Sequence, residues 1–114
     1  MKVDRTESGN TLVIRLQGDL DERSVEDLRK ILYGCLCEGH YNLVLNLNEV
    51  GFVSYMCLGV IVERLRRFRS LKGDIKLVGV NTYMDRLFRM VGVTSLFEVF
   101  ETEGQAVGGF QQAA

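Results

Sequence analysis

The sequence predicts an α/β fold: a single domain, residues 1–114, with a mostly parallel central β-sheet of four to five strands and three to four helices. Strand-like and helix-like segments alternate along the chain, and parallel strands require such helical crossovers. The run Leu43–Leu47 is apolar except for Asn46, which is typical of a central parallel strand covered on both faces. The length of 114 residues is that of one ordinary domain.

The start of the chain predicts two strands ahead of the first helix. Residues 1–7 can form a short edge strand. Thr11–Gln17 is a clearer strand, because Leu and Ile side chains occupy its alternate positions. The turn-forming sequence Gly18–Asp21 then ends this strand.

The first helix is predicted over residues 25–37. Ser24 is a good N-cap with Asp27 at the capping-box position, and Gly39 is a plausible stop. The apolar residues that recur at helical intervals are Val25, Leu28, Ile31, Leu32, Cys35 and Leu36.

The segment after the central strand predicts a second helix that ends at Gly73. Cys57–Val62 alone fits a strand or a helix, but its continuation carries an apolar stripe opposite a polar one, which favours a helix. The stripe consists of Cys57, Ile61, Leu65 and Phe68. The C-terminal half is basic, which suits the negative end of the helix dipole. These cations could also meet an acidic partner or phosphate groups.

A third helix is predicted to begin at a Thr82 cap, with Asp85 at the capping-box position, and to end at Gly92. Its inward-facing residues are expected to be Tyr83, Leu87, Met90 and Val91.

Two strands flank this third helix, and a weak fourth helix follows the second of them. Ile75–Val80 predicts one strand and Leu96–Phe100 a shorter one. Glu101–Phe110 predicts the helix, which is expected to fray at Gly108 and Gly109 and to leave the tail 108–114 frayed.

Composition and charge argue against several functional classes. The net charge of −1 gives no general attraction to nucleic acid or to an anionic membrane. The N-terminus lacks the apolar core of a signal peptide, and no apolar run approaches a membrane span of roughly 20 residues. Three cysteines fit reduced thiols, and their spacing does not suit zinc. We therefore expect a cytoplasmic protein without metal or other cofactor.

The stretch from Leu43 to Val60 passes from the central strand to the second helix through the loop Val53–Met56. It resembles the signature of STAS domains, and specifically of bacterial anti-sigma factor antagonists. In that family the strand runs into Phe-x-Asp-Ser-Ser-Gly-Leu-Gly-Val. The matching residues here are Phe52, Leu58, Gly59 and Val60.

The four positions between these matches differ from the family pattern. The second Ser of the family accepts a phosphate that switches partner binding off, and Met56 occupies that position here. Ser54 replaces the Asp, Tyr55 the first Ser, and Cys57 the Gly. The chain thus keeps the frame of the motif and lacks the phosphoacceptor hydroxyl.

Other segments extend the resemblance over about residues 3–107. Gly18–Asp21 resembles the family's Gly-Glu-Leu-Asp between a strand and the first helix. Leu45–Leu47 leads into the loop as the family's Leu-Asp/Asn-Leu does. Arg86–Val93 resembles the third-helix pattern Arg-Leu-Leu-x-x-x-Gly-Leu.

The resemblance implies a partner-binding surface at Asp21, Ser54, Tyr55, Met56 and Cys57. Met56 either contacts the partner or fills core space, and we favour partial exposure because a kinase must reach this position in the family. Ser54 is expected to cap the second helix; Ser54 and Tyr55 are the substitutes that could carry a phosphate. Tyr55 suits an interface or lies over its own helix, and Asp21 adjoins the switch loop or serves only as a turn acid.

An enzymatic function is not favoured by the residues. Cys57 near a helix N-terminus could be a nucleophile, but the only histidine, His40, precedes the central strand. About seven strand residues at ~3.3 Å each place the two roughly 20 Å apart. No phosphate-binding loop or dinucleotide fingerprint occurs.

The resemblance implies a protein-binding regulator that binds an anti-sigma factor with a kinase-like ATPase fold and so releases a sigma factor. Lacking the usual Ser, it would not be switched at that site. The alternative is a STAS scaffold or adaptor in a transport or signalling complex. Its oligomeric state is expected to be a monomer or a weak homodimer.

Overall fold

The computed structural model describes residues 1–111 and contains a five-stranded sheet in the order β1-β2-β3-β4-β5. β1 pairs with β2 in antiparallel fashion, and the other three pairings are parallel. The mostly parallel sheet predicted from the sequence is therefore confirmed. The strands are β1 Lys2–Ser8, β2 Thr11–Gln17, β3 Asn42–Glu49, β4 Asp74–Val78 and β5 Val99–Phe100.

Four helices cover the two faces of this sheet unequally. The larger core joins the first three helices to one face, and α4 covers the other face through a small cluster around Ala106. Alternate residues of a strand point to opposite faces, so Leu43 and Leu45 enter the larger core while Val44 faces α4. The helices are α1 Val25–Cys37, α2 Tyr55–Ser70, α3 Thr82–Val91 and α4 Glu103–Gln111.

Two of the predicted helix caps differ in detail from the structure. Ser24 occupies the N-cap position of α1 as predicted, but its side chain makes no capping bond: its hydroxyl donates to the Asp19 carbonyl oxygen at 3.2 Å, and the preceding turn already has helical geometry. At α3 the cap is Asn81, one residue before Thr82, and its side chain accepts from the Met84 N–H at 2.8 Å. Gly92 does end α3 as predicted, with a left-handed φ of 78°.

The buried face of α3 differs from the one predicted. Leu87 is buried as expected, but its buried neighbours are Met84 and Phe88. Phe88 packs against Phe97 with ring centroids 5.6 Å apart. The helix is rotated so that the other residues predicted to face inward are partly or largely exposed: Tyr83 at 43%, Met90 at 75% and Val91 at 45%.

Several predicted element ends also shift. α2 ends at Ser70 rather than near Gly73, and Gly73 packs against the Tyr41 carbonyl, where a side chain would clash. β4 ends at Val78 because Gly79 takes a positive φ of 78° against Asn48. The last strand is only two residues long: of the predicted segment Leu96–Phe100, Leu96 ends a 3-10 turn, Thr94–Leu96, and residues 97 and 98 have no regular structure.

A charged network attaches α4 to the sheet. Arg15 on β2 donates to both carboxylate oxygens of Glu103, at 2.7 and 2.8 Å, and Asn46 on β3 donates to the same carboxylate at 2.6 Å. The helix continues through Gly108 and Gly109, where we had expected fraying. The rest of the tail predicted to fray, residues 112–114, lies outside the described part of the chain.

Glu103→Gln should destabilise the protein at neutral pH by about 1–3 kcal/mol, as the loss of hydrogen bonds to a charged group does. Arg15 and then Asn46 hold the pKa of the Glu103 carboxyl below its ordinary value. The carboxylate therefore contributes stability above the ordinary Glu pKa of about 4.3, and this contribution disappears as pH falls through the lowered pKa. Denaturant unfolding at neutral and at acidic pH measures both effects.

The matched control is Glu101→Gln, because Glu101 is an exposed carboxylate just before α4. It should change the free energy of unfolding little at either pH. A Glu103→Gln penalty of the same size at both pH values would show that the ionised carboxylate does not stabilise α4.

Candidate functional site

The loop between β3 and α2 is held against the turn that follows β2. The Leu20 N–H donates to the Phe52 carbonyl oxygen at 2.8 Å, and the Ser54 N–H donates to the Leu20 carbonyl oxygen at 2.8 Å. Leu20 and Val53 form an isolated parallel bridge. The fold thus brings Asp21 beside the Ser54–Met56 segment, two regions that are far apart in sequence.

Ser54 is the N-cap of α2, as predicted. Its backbone is extended, and its hydroxyl oxygen accepts from the Cys57 N–H at 3.1 Å. This bond satisfies one of the free N–H groups in the first turn. α2 accordingly begins at Tyr55, two residues earlier than its apolar stripe indicated.

Cys57 is fully buried, which argues against the predicted direct contact with a partner. Its thiol donates to the Asp21 carbonyl oxygen at 3.2 Å. Burial raises the pKa of the Cys57 thiol, which works against the thiolate that a nucleophile needs. The residue instead attaches α2 to the Asp21 turn.

Asp21 acts as the acid of its own turn. Its carboxylate accepts from the Arg23 N–H at 3.0 Å and from the Arg23 guanidinium at 2.8 Å. The Arg23 side chain holds the pKa of the Asp21 carboxyl below its ordinary value. The group is therefore ionised at neutral pH and already partnered, while remaining close to the surface beside the loop.

Tyr55 and Met56 project from the first turn of α2 into solvent. They are 61% and 57% exposed, so Met56 does not fill the core and the expected partial exposure is confirmed. Met56 also lines a shallow groove of about 450 Å³ between α1 and α2, together with Val25 and Val60. Apolar side chains this exposed in the first turn of a helix suit a contact surface.

Two further aromatic residues adjoin this surface, and sequence reasoning did not assign either to it. Phe52 and Tyr83 are 40% and 43% exposed and stack with ring centroids 5.8 Å apart. The Tyr83 hydroxyl donates to the Val53 carbonyl oxygen at 3.4 Å, which connects α3 to the loop. We call these two residues together with Tyr55 and Met56 the apolar patch.

The sole histidine lies away from this patch. His40 precedes β3, and its Nε2 atom is 3.4 Å from a carboxylate oxygen of Glu7, whereas Cys57 follows the other end of β3. Within residues 1–111, no group of three or more His, Cys, Asp or Glu side chains could hold a metal ion. No helix in the same range is both long and apolar enough to cross a membrane.

Comparison with known proteins gives a consistent result. A family model described as the STAS domain matches residues 2–106. The chain is similar to an anti-sigma-B factor antagonist of Staphylococcus aureus, with 24% identity over 89% of this chain and 94% of that protein.

Solved structures share the fold at low identity. The anti-sigma factor antagonist SpoIIAA in its unphosphorylated form superposes with a TM-score of 0.76 at 21% identity, over 96% of this chain and 98% of that one. A sulfate transporter family protein from Wolinella succinogenes superposes with a TM-score of 0.79 at 13% identity, over 94% and 89% of the two chains.

Proposed function

The chain belongs to the STAS domain family, and we propose that it is a protein-binding regulator of the anti-sigma factor antagonist type. One observation carries the proposal. Exposed Tyr55 and Met56 stand in the first turn of α2, where the family pattern has its two serines. The relatives named as anti-sigma factor antagonists support the same function.

The proposed partner is an anti-sigma factor with a kinase-like ATPase fold, whose capture would release a sigma factor in the cytoplasm. The apolar patch supplies flexible and aromatic side chains of the kind enriched at the centres of interfaces. The ionised carboxylate of Asp21 lies beside the patch and adds a negative charge at its edge. The site needs neither a catalytic group nor a cofactor for this function.

Replacement of the phosphoacceptor by Met56 changes how such a site would be regulated. The first turn of a helix offers free N–H groups and a positive dipole end, so a phosphate is favoured there. It would add about −1.5 to −2 charges to the middle of the contact surface. A thioether accepts no phosphate, so we propose that this protein binds its partner without that switch.

Affinity capture from the native cell, followed by calorimetry of the purified pair, tests this function. We expect the captured protein to be an anti-sigma factor that binds the isolated chain directly. Capture of transporter or other signalling subunits, with no binding of the kinase-like anti-sigma factors encoded in the same genome, would contradict it.

We predict that a cognate anti-sigma kinase with ATP will not phosphorylate the chain on Ser. Met56 has no hydroxyl, and the Ser54 hydroxyl already accepts from the Cys57 N–H. Intact-mass analysis after incubation should show only the unmodified chain.

Met56→Ser is the positive control, because it restores a hydroxyl at the exposed position and should gain one phosphate. If the unaltered chain instead becomes stoichiometrically phosphorylated at Ser54 or Tyr55, the switch has moved to a neighbouring residue.

A scaffold or adaptor role in a transport or signalling complex is the second candidate. The similarity in fold to the Wolinella succinogenes sulfate transporter family protein favours it. Neighbouring genes discriminate the two: a kinase-like anti-sigma gene supports the first function, and transporter genes support the second.

A further inference from the structure

An apolar groove of about 360 Å³ runs between α2 and the C-terminal end of α3. It begins at Tyr55, so it continues the apolar patch along α2. Its α3 side exists because that helix leaves Val91 45% exposed. The apolar lining consists of Tyr55, Leu58, Gly59, Val62, Val91 and Val93.

Gly59 leaves a gap in the side-chain surface of α2. It lies within the helix and is exposed, and a Cβ atom added there would meet nothing within 4 Å. Glycine inside a helix costs about 1 kcal/mol relative to alanine, and no contact within the described chain requires it. The bare backbone at this point allows another chain to approach α2 closely.

The edge of the groove carries positive charge that is free to meet a partner. Glu63 is engaged by Arg64 at 3.4 Å. Arg66 also lines the groove and is exposed, and in the described range 1–111 it has no ion-pair partner. An exposed cation without an ion-pair partner at the edge of an apolar groove suits a partner segment that carries acidic side chains.

We propose that this groove docks an amphipathic helix of the protein partner, with apolar side chains facing Gly59 and acidic side chains facing Arg66. Helix-in-groove recognition uses apolar residues at helical spacing in this way. The inference rests on the proposed function, because a single partner is taken to contact the apolar patch and to place its helix in the groove.

Site-specific photo-crosslinking of the full chain in the native cell tests the proposal. A benzoylphenylalanine is placed at Val91 in the groove, at Met56 in the apolar patch, or at Tyr41, which is 42% exposed and precedes β3. We expect Val91 and Met56 to cross-link to one protein and Tyr41 not to. The peptide cross-linked to Val91 should carry apolar residues at helical spacing with Asp or Glu beside them.

Two substitutions show whether the groove makes these contacts. Arg66→Glu and Gly59→Gln should each lower the yield of the Val91 cross-link about tenfold or more, the first by charge reversal and the second by blocking close approach. Gly34→Gln is the matched control, because Gly34 is a helical glycine of α1 with equally open space. It should leave the yield unchanged. None of the three variants should lower the melting temperature, and both glycine replacements should raise it slightly, since Gln favours a helix more than Gly does.

The outcomes separate this inference from the proposed function. Cross-linking from Met56 to an anti-sigma factor with none from Val91 would contradict helix docking in the groove and support the proposed function. A Val91 cross-link to an acidic helix of another class of protein would support helix docking in the groove and contradict the proposed function. A Val91 cross-link to a second copy of the chain, to a basic segment, or to nothing would overturn the groove proposal.

Discussion

Met56→Asp should weaken binding of the partner at least tenfold, about 1.4 kcal/mol, while leaving thermal stability nearly unchanged. The substitution puts a negative charge within the apolar patch, at the position where the family pattern places phosphate. Because Met56 is 57% exposed, the charged side chain is solvated in the free protein and must be desolvated only when the partner binds. Titration calorimetry and a melting curve on the same variant measure the two effects.

Met56→Leu is the control for this experiment. It keeps an apolar side chain of similar size at the same exposed position and should change affinity only slightly. Unchanged affinity in Met56→Asp would show that the loop does not contact the partner. A large drop in its melting temperature would show that Met56 packs more tightly than its exposure indicates.

Leu45→Ala and Ile61→Ala should each reduce the free energy of unfolding by about 2–5 kcal/mol, as large-to-small changes in a core do. Leu45 lies on the central strand at 0% exposure, and Ile61 lies on the sheet-facing side of α2 at 1%. Each truncation removes apolar contacts and leaves a cavity that close-packed neighbours fill only in part. Denaturant unfolding of the purified variants measures the loss.

Val3→Ala is the control for these core substitutions, because Val3 lies on the edge strand β1 and is 43% exposed. It should cost much less than either core change. A loss below about 1 kcal/mol at both Leu45 and Ile61 would contradict the central position of β3 and the orientation of α2.

Where burial follows directly from a pattern in the chain, sequence reasoning predicted the structure well. The run Leu43–Leu47 lacks the alternation of a half-exposed strand, and it forms β3 in the middle of the sheet. The helical stripe from Cys57 to Phe68 became the buried face of α2. The Ser54 cap could also be predicted, since the bond joins residues only three positions apart.

Which residues form the candidate site could be determined only from the tertiary structure. Cys57 and Met56 are adjacent, yet one is fully buried and the other 57% exposed, because the first turn of α2 packs against the Asp21 turn. Phe52 and Tyr83 share the patch only because the start of α3 lies against the loop, where the Tyr83 ring stacks on Phe52 and its hydroxyl donates to the Val53 carbonyl oxygen. No local pattern encodes a contact between residues about thirty positions apart.

The type and order of the elements, the central strand and the cap of α2 could be read from the amino-acid sequence, and so could the presence of a Met without a hydroxyl at position 56. The buried face of α3, in contrast, depends on contacts that its own periodicity does not specify. That helix has apolar residues on adjacent faces, and the larger core takes up Met84, Leu87 and Phe88, leaving Tyr83 and Val91 partly exposed. Periodicity shows which residues share a face, but burial depends on neighbours supplied by distant parts of the chain.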